Sequence, residues 1–130
     1  MVNYKGIILS LGSNIGDRET NLSLALLELA SIAQIKSVSS IYETEALLMK
    51  NQANFYNIAI EIEYTKNANN LLDEIKTIEI NLGRKKIIRY GPRIIDIDII
   101  FFRGENISTD LLTIPPVSYT HLRAHETIPD

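Results

Sequence analysis

Apolar residues recur along this chain with two different periods, and the changes of period mark out its elements. Across 18–33, Leu22, Ala25, Leu26, Leu29, Ala30 and Ala33 fall at i, i+3, i+4, i+7, the spacing of one buried helix face. Asp17 stands at the N-cap position, where a side-chain oxygen accepts from backbone N–H groups that lack a partner inside the helix. A second helix is predicted over 68–82 from Ala68, Leu71, Leu72, Ile75, Ile78 and Leu82, with Asn67 as cap and Gly83 as stop.

Four other segments follow strand periodicity. Residues 6–11 are a short aliphatic run closed by the turn signal Gly12-Ser13-Asn14, and 37–44 is β-prone without a clean pattern. Residues 55–64 alternate, setting Tyr56, Ile58, Ile60, Ile62 and Tyr64 against Phe55, Asn57, Ala59, Glu61 and Glu63. Residues 94–102 alternate too, with Ile95, Ile97, Ile99 and Phe101 on one face and Ile94, Asp96, Asp98, Ile100 and Phe102 on the other. The order strand, helix, strand, strand, helix, strand predicts an α+β, ferredoxin-like βαββαβ sandwich. In it an antiparallel sheet carries both helices on one face and leaves the other face for ligands.

Composition narrows the class without naming a function. At 130 residues, 45% hydrophobic and 22% charged, the chain suits one globular domain with a real core and is not a disordered tract. No apolar run approaches the ~18–20 residues of a membrane span, and Met1-Val2-Asn3-Tyr4-Lys5 does not resemble a signal peptide, so no membrane partner is expected. The absence of cysteine removes disulfide, thiolate and Cys-zinc chemistry, and the expected address is cytoplasmic. A net charge of −3 gives no general pull toward nucleic acid.

The charge is unevenly placed, however. Arg84, Lys85, Lys86, Arg89 and Arg93 gather five of the 13 basic residues into one short stretch. Such a run is either a solvated loop or a local anion site. The carboxylates just C-terminal to it favour the anion site. Asp96 and Asp98, at i and i+2 in a strand, point to one face with Cα atoms ~6.5–7 Å apart. Salt bridges to Arg89 or Arg93 would account for them, but hard oxygen donors without nearby His or Cys also suit Mg²⁺. The spacing fits a pair of ions ~3.5–4 Å apart that clamps a phosphoryl group. With arginine forks matched to phosphate oxygens alongside, the segment reads as a metal–nucleotide site.

Phe55 and Asn57 share the face opposite the aliphatic stripe, a ring beside an amide that donates and accepts. That pair suits a flat heteroaromatic ligand, stacked and read at its edge, although taken alone an ordinary outer strand face accounts for it better.

The run Arg89-Tyr90-Gly91-Pro92-Arg93-Ile94-Ile95-Asp96-Ile97-Asp98-Ile99-Ile100 resembles the signature of the 6-hydroxymethyl-7,8-dihydropterin pyrophosphokinase family of folate biosynthesis. Leu11-Gly12-Ser13-Asn14-Ile15-Gly16-Asp17-Arg18, Ser40-Ile41-Tyr42-Glu43-Thr44, Gln52 to Asn57 and Ile78-Glu79 to Arg84 fall in the family's order, so the resemblance covers about residues 4–115. It implies Mg²⁺-dependent transfer of the terminal diphosphate of ATP to the pterin hydroxymethyl group, releasing AMP. Asp96 and Asp98 would hold two Mg²⁺ ions. Arg84 and Arg93 would hold the phosphates and stabilise the transition state, assisted by Lys86 and Arg89. Glu79 and Ile99 would belong to the nucleotide pocket. Phe55 would stack on the pterin, Asn57 would read its edge, Thr44 and Leu47 would supply backbone contacts, and Tyr90 would close over the ring where the family often has Trp. Asp96 also faces the substrate and could give the hydroxyl weak base help. The partners implied are small molecules acting on a monomer.

Glu45-Ala46 replaces a proline-containing stretch of the family, and Pro116 stands where the family has a His. The expected organisation is a pyrophosphokinase domain over 1–116, C-terminally incomplete, and a non-matching tail over 117–130 that resembles translated sequencing adapter. One alternative is therefore an ATP- and pterin-binding remnant impaired by loss of its native C-terminus. His121 and His125 lack the further ligands a zinc site needs. A ferredoxin-like RNA-binding module is the other alternative, disfavoured by the missing sheet aromatics and by two carboxylates facing a phosphate backbone.

Overall fold

A computed structural model describes residues 4–45, 53–83, 94–109 and 112–116. The elements run β1 (Ile7–Ser13), α1 (Arg18–Ala30), β2 (Gln34–Val38), β3 (Tyr42–Thr44), β4 (Phe55–Glu63), α2 (Ala68–Asn81), β5 (Asp96–Phe102), β6 (Ile107–Ser108) and β7 (Thr113–Ile114). The main sheet has the order β2-β4-β1-β5, with β3 also paired to β4, and each of these pairings is antiparallel. With β2 and β3 as two pieces of one strand position, this is the expected βαββαβ plan. The short β6 and β7 form a separate ribbon.

Both caps stand where the sequence puts them. The Asp17 carboxylate accepts from Thr20 N–H at 3.1 Å and the Asn67 side-chain oxygen Oδ1 from Asn70 N–H at 2.9 Å. The bonded N–H holds the Asp17 carboxyl below its ordinary range. Helix α1 stops at Ala30, short of the expected 33, because the Ser31 hydroxyl donates to Glu28 O and draws the chain into a tighter turn. After α2, Gly83 takes φ +103, a conformation that favours glycine.

The core lies between the helices and one sheet face. Leu22, Ala25 and Leu29 of α1 and Leu71, Ile75 and Ile78 of α2 close over Leu9 and Leu11, over Ile58, Ile60 and Ile62, and over Ile95, Ile97 and Ile99. No helix among the described residues is long and apolar enough to cross a membrane.

Two strand expectations are corrected. The segment expected as one strand over 37–44 is two, β2 and β3. Ser39 fills the break, donating its N–H to Ala59 O and accepting Ala59 N–H on its hydroxyl, both at 2.9 Å. In β5 the alternation does not run through to the end. Ile8 pairs Phe101 while Leu9 pairs Ile99, so Ile100 is an extra residue and the faces exchange beyond it. Phe102, not Phe101, enters the core at 1% exposure, and Phe101 stands edge-on to Tyr4.

Candidate active site

Strand register assembles the site on the sheet face that the helices leave open. Paired residues in an antiparallel sheet point to the same side. Gly12 pairs Asn57 on one flank and Asp96 on the other, and Asn57 pairs Tyr42, so Tyr42, Asn57, Gly12 and Asp96 form one row across four strands. The next row is Ala59, Ser10 and Asp98, and beyond the first row Thr44 faces Phe55. At ~4.5–5.5 Å between paired Cα atoms, Asn57 and Asp96 stand ~10 Å apart, about the length of a two-ring ligand with one substituent.

The centre of this surface is low because Gly12 has no side chain. A Cβ there would lie 2.9 Å from Asn57 Oδ1 and 3.3 Å from Phe55 Cδ1. Asn57 is held by its other end: Nδ2 donates to Thr44 Oγ1 at 3.0 Å, Tyr42 O at 3.3 Å and Phe55 O at 3.4 Å. With the nitrogen so engaged, the acceptor Oδ1 lies over Gly12. Phe55 is half-buried beside it and Thr44 is exposed.

Asp96 is half-buried and Asp98 exposed, while Ile95, Ile97 and Ile99 between and beside them turn into the core. Alternation sends these isoleucines to the far side of the sheet from the carboxylates. Among the described residues no group of three or more His, Cys, Asp or Glu side chains could hold a metal. A donor pair of this kind suits Mg²⁺, which binds through one or two carboxylates and keeps its remaining positions for water and substrate phosphates.

Glu79 and Ile99 are placed differently from one another. Glu79 is buried at 5% exposure, and its Oε2 accepts from Ile97 N–H at 2.9 Å. That bond turns the Ile97 amide off the edge of the sheet, and strand period gives the backbone of Ile99 the same outward direction. The Ile99 side chain is in the core, which leaves its backbone as the part available to a ligand. Leu47, Arg84, Lys86, Arg89, Tyr90 and Arg93 lie outside the described residues. Gly83 and Ile94, on either side of the basic stretch, approach closely: a Cβ on Gly83 would lie 3.2 Å from Ile94 Cδ1, and Ile94 is two residues before Asp96.

Sequence reasoning missed the residues that buttress this surface. Arg18 donates to Asn54 O at 2.8 Å and lies 3.8 Å over the Tyr56 ring, and Asn14 Nδ2 donates to Ala53 O at 3.3 Å. Together they tie the β1–α1 loop to the residues that enter β4 just before Phe55. Asn21 braces the same loop by donating to Ser13 Oγ and Ile15 O. The ties to Ala53 and Asn54 join positions more than 35 residues apart, and local patterning carries no signal for them. Ser10, opposite Asp98, was missed for the same reason.

A concavity of about 940 Å³ lies at the other end of the sheet, around Lys5, Lys36, Glu63 and Arg103. Two of its cations are already engaged, Lys36 with Glu63 at 3.7 Å and Arg103 with Tyr64 O and the Phe102 ring. It shares no residue with the open-face rows.

The fold is that of an α+β sandwich whose open sheet face carries an acidic pair at one side and an aromatic–amide pair at the other. The chain belongs to the 7,8-dihydro-6-hydroxymethylpterin-pyrophosphokinase family, whose family model matches residues 8–129. The diphosphotransferase class and folate biosynthesis come with that membership. It is 43% identical over 122 residues to the 2-amino-4-hydroxy-6-hydroxymethyldihydropteridine pyrophosphokinase of Bacillus subtilis (strain 168), covering 92% of this chain and 70% of that one. The Aquifex aeolicus (strain VF5) protein of the same name is 38% identical over 109 residues, 84% of this chain and 68% of its own. A mitochondrial folate synthesis bifunctional protein of Pisum sativum is 39% identical over 110 residues, which are 84% of this chain and 21% of that longer protein.

Proposed function

We propose that this chain transfers the terminal diphosphate of ATP to 6-hydroxymethyl-7,8-dihydropterin and releases AMP, with Mg²⁺ held by Asp96 and Asp98. The observation that carries the reading is the register through Gly12, which sets the carboxylate pair and the Phe55–Asn57 pair on one open face ~10 Å apart. The pterin stacks on Phe55 and meets the Asn57 acceptor at its edge, with backbone contacts from Thr44 and Leu47 and closure by Tyr90. Arg84 and Arg93 hold the phosphates, with Lys86 and Arg89 beside them, and the meeting of Gly83 and Ile94 supports their nearness to Asp96. Glu79 and the edge-facing backbone of Ile99 border the nucleotide.

The pterin hydroxyl oxygen attacks the β-phosphorus of ATP. The bond from that phosphorus to the α–β bridging oxygen breaks, AMP leaves with the bridging oxygen, and the hydroxyl proton is lost to Asp96 or water. When bound, Mg²⁺ neutralises charge on the phosphates and aligns them for in-line transfer. The chain itself contributes positioning and charge compensation, the main work in phosphoryl transfer.

The test is AMP release from ATP and Mg²⁺, with and without the pterin, for this chain and its Asp98→Ala variant. Pterin-dependent AMP formation is expected to fall about a thousandfold in the variant, the loss of roughly 4 kcal/mol of transition-state stabilisation. A folded chain that binds ATP and the pterin yet forms no AMP would instead be the impaired remnant.

A further inference from the structure

Glu79 is the one charged side chain in the buried set of the described residues. It projects from the last turns of α2, beside Ile75 and Ile78, and its carboxylate accepts the backbone N–H of Ile97 in a buried bond of 2.9 Å. Ile97 stands between Asp96 and Asp98. Among the described residues the strand carrying all three is the outer one of its sheet, joined by its ladder to β1 alone. An edge strand has ladder bonds on one side only, so rotation of its peptides is restrained from that side alone. The N–H that Glu79 takes belongs to the Asp96–Ile97 peptide. Fixing that plane fixes the backbone on which Asp96 is mounted and, one residue on, the direction of Asp98.

We infer that Glu79 is a positioning residue for the divalent-cation site: it acts through the Ile97 amide to hold both carboxylates in the orientation that binds the ion. The inference rests on the Mg²⁺ reading proposed above. It adds to the place beside the nucleotide proposed above, and for this role Glu79 needs reach and an acceptor oxygen more than its charge. Outer partners that orient metal ligands are commonly worth 10–100-fold in metal affinity.

Two variants of the full chain separate these requirements. Glu79→Gln keeps the length and an acceptor oxygen without the charge, and Glu79→Asp keeps the charge but falls short of Ile97. Mn²⁺ binding is read by electron paramagnetic resonance with a non-hydrolysable α,β-methylene ATP analogue present, on protein whose fold is checked by circular dichroism. The expected result is a 10–100-fold loss of Mn²⁺ affinity in Glu79→Asp. In Glu79→Gln the loss stays within about fivefold, the difference between a charged and a neutral acceptor.

The reverse order, with Gln weak and Asp near wild type, overturns the inference in favour of a charge acting directly. A variant pair that melts lower but binds Mn²⁺ like wild type also overturns it, leaving Glu79 a structural acceptor. If Glu79→Asp does not fold, Glu79→Ala takes its place as the variant without an acceptor: affinity lost in Glu79→Ala and kept in Glu79→Gln upholds the inference, and equal affinity in the two ends it. Wild-type protein that ignores Mn²⁺ removes the metal reading and this role with it. Hydrogen exchange of the Ile97 amide without metal, slow in wild type and fast in Glu79→Asp, would then show that only the clamp itself stands.

Discussion

At the scale of single residues, the telling position is Gly12. Its glycine is required by close approach, since a Cβ would meet Asn57 Oδ1 at 2.9 Å. The amide cannot simply swing aside, because its Nδ2 is shared among Thr44, Tyr42 and Phe55. Gly12→Ala is therefore expected to displace the acceptor over the pocket floor and raise the KM for the pterin about tenfold or more, the worth of one misplaced hydrogen bond. The KM for ATP, bound through the other side of the face, should change far less. Steady-state kinetics with each substrate varied in turn checks this, and an equal rise in both values would count against a local effect.

Among the elements, β5 carries the most information per residue, and its bulge decides which phenylalanine is structural. Strict alternation pairs Phe101 with the core; the extra residue at Ile100 exchanges the two, leaving Phe102 at 1% exposure. Phe102→Ala should cost about 3–5 kcal/mol in urea unfolding, the range for a large buried aromatic, against roughly 1 kcal/mol for Phe101→Ala. The reverse order, with Phe101→Ala the costlier of the two, would mean that the alternation continues unbroken. The bulge lies beyond Ile99, so it leaves Asp96 and Asp98 on the face that alternation assigns them. The same alternation in β4, undisturbed between Phe55 and Glu63, is why the Phe55–Asn57 pair could be read directly from the sequence.

For the whole molecule, two phenols are expected to make stability fall at alkaline pH. The Tyr4 hydroxyl donates to Glu61 and the Tyr64 hydroxyl to Glu74. Burial, and then the bonded carboxylate, pushes the Tyr4 pKa up to about 12 and raises that of Tyr64 as well. A phenol whose pKa is higher in the folded than in the unfolded chain stabilises the fold below the ordinary value of 10. That contribution is lost as pH rises through about 12. Tm should accordingly fall between these limits, and the Tyr4→Phe, Tyr64→Phe double variant should flatten the fall. An unchanged slope in the variant would assign the alkaline loss to other groups.

The sequence by itself determined both helices and their caps, the alternating strands, the acidic pair and the family. Each of these is encoded locally: Asp17 and Asn67 cap their own first turns, and Asp96 and Asp98 share a face through the period of one strand. Tertiary structure alone decided what those residues meet. The register that sets Gly12 between Asn57 and Asp96, the tie from Arg18 to Asn54, and the reach of Glu79 to Ile97 join positions that lie far apart in the chain. The division of 37–44 into two strands and the exchange of Phe101 and Phe102 belong with them, because each turns on how one strand fits its neighbour. Local periodicity records which way a side chain points; pairing and packing, which fix its partners, are settled only when the whole sheet closes against its helices.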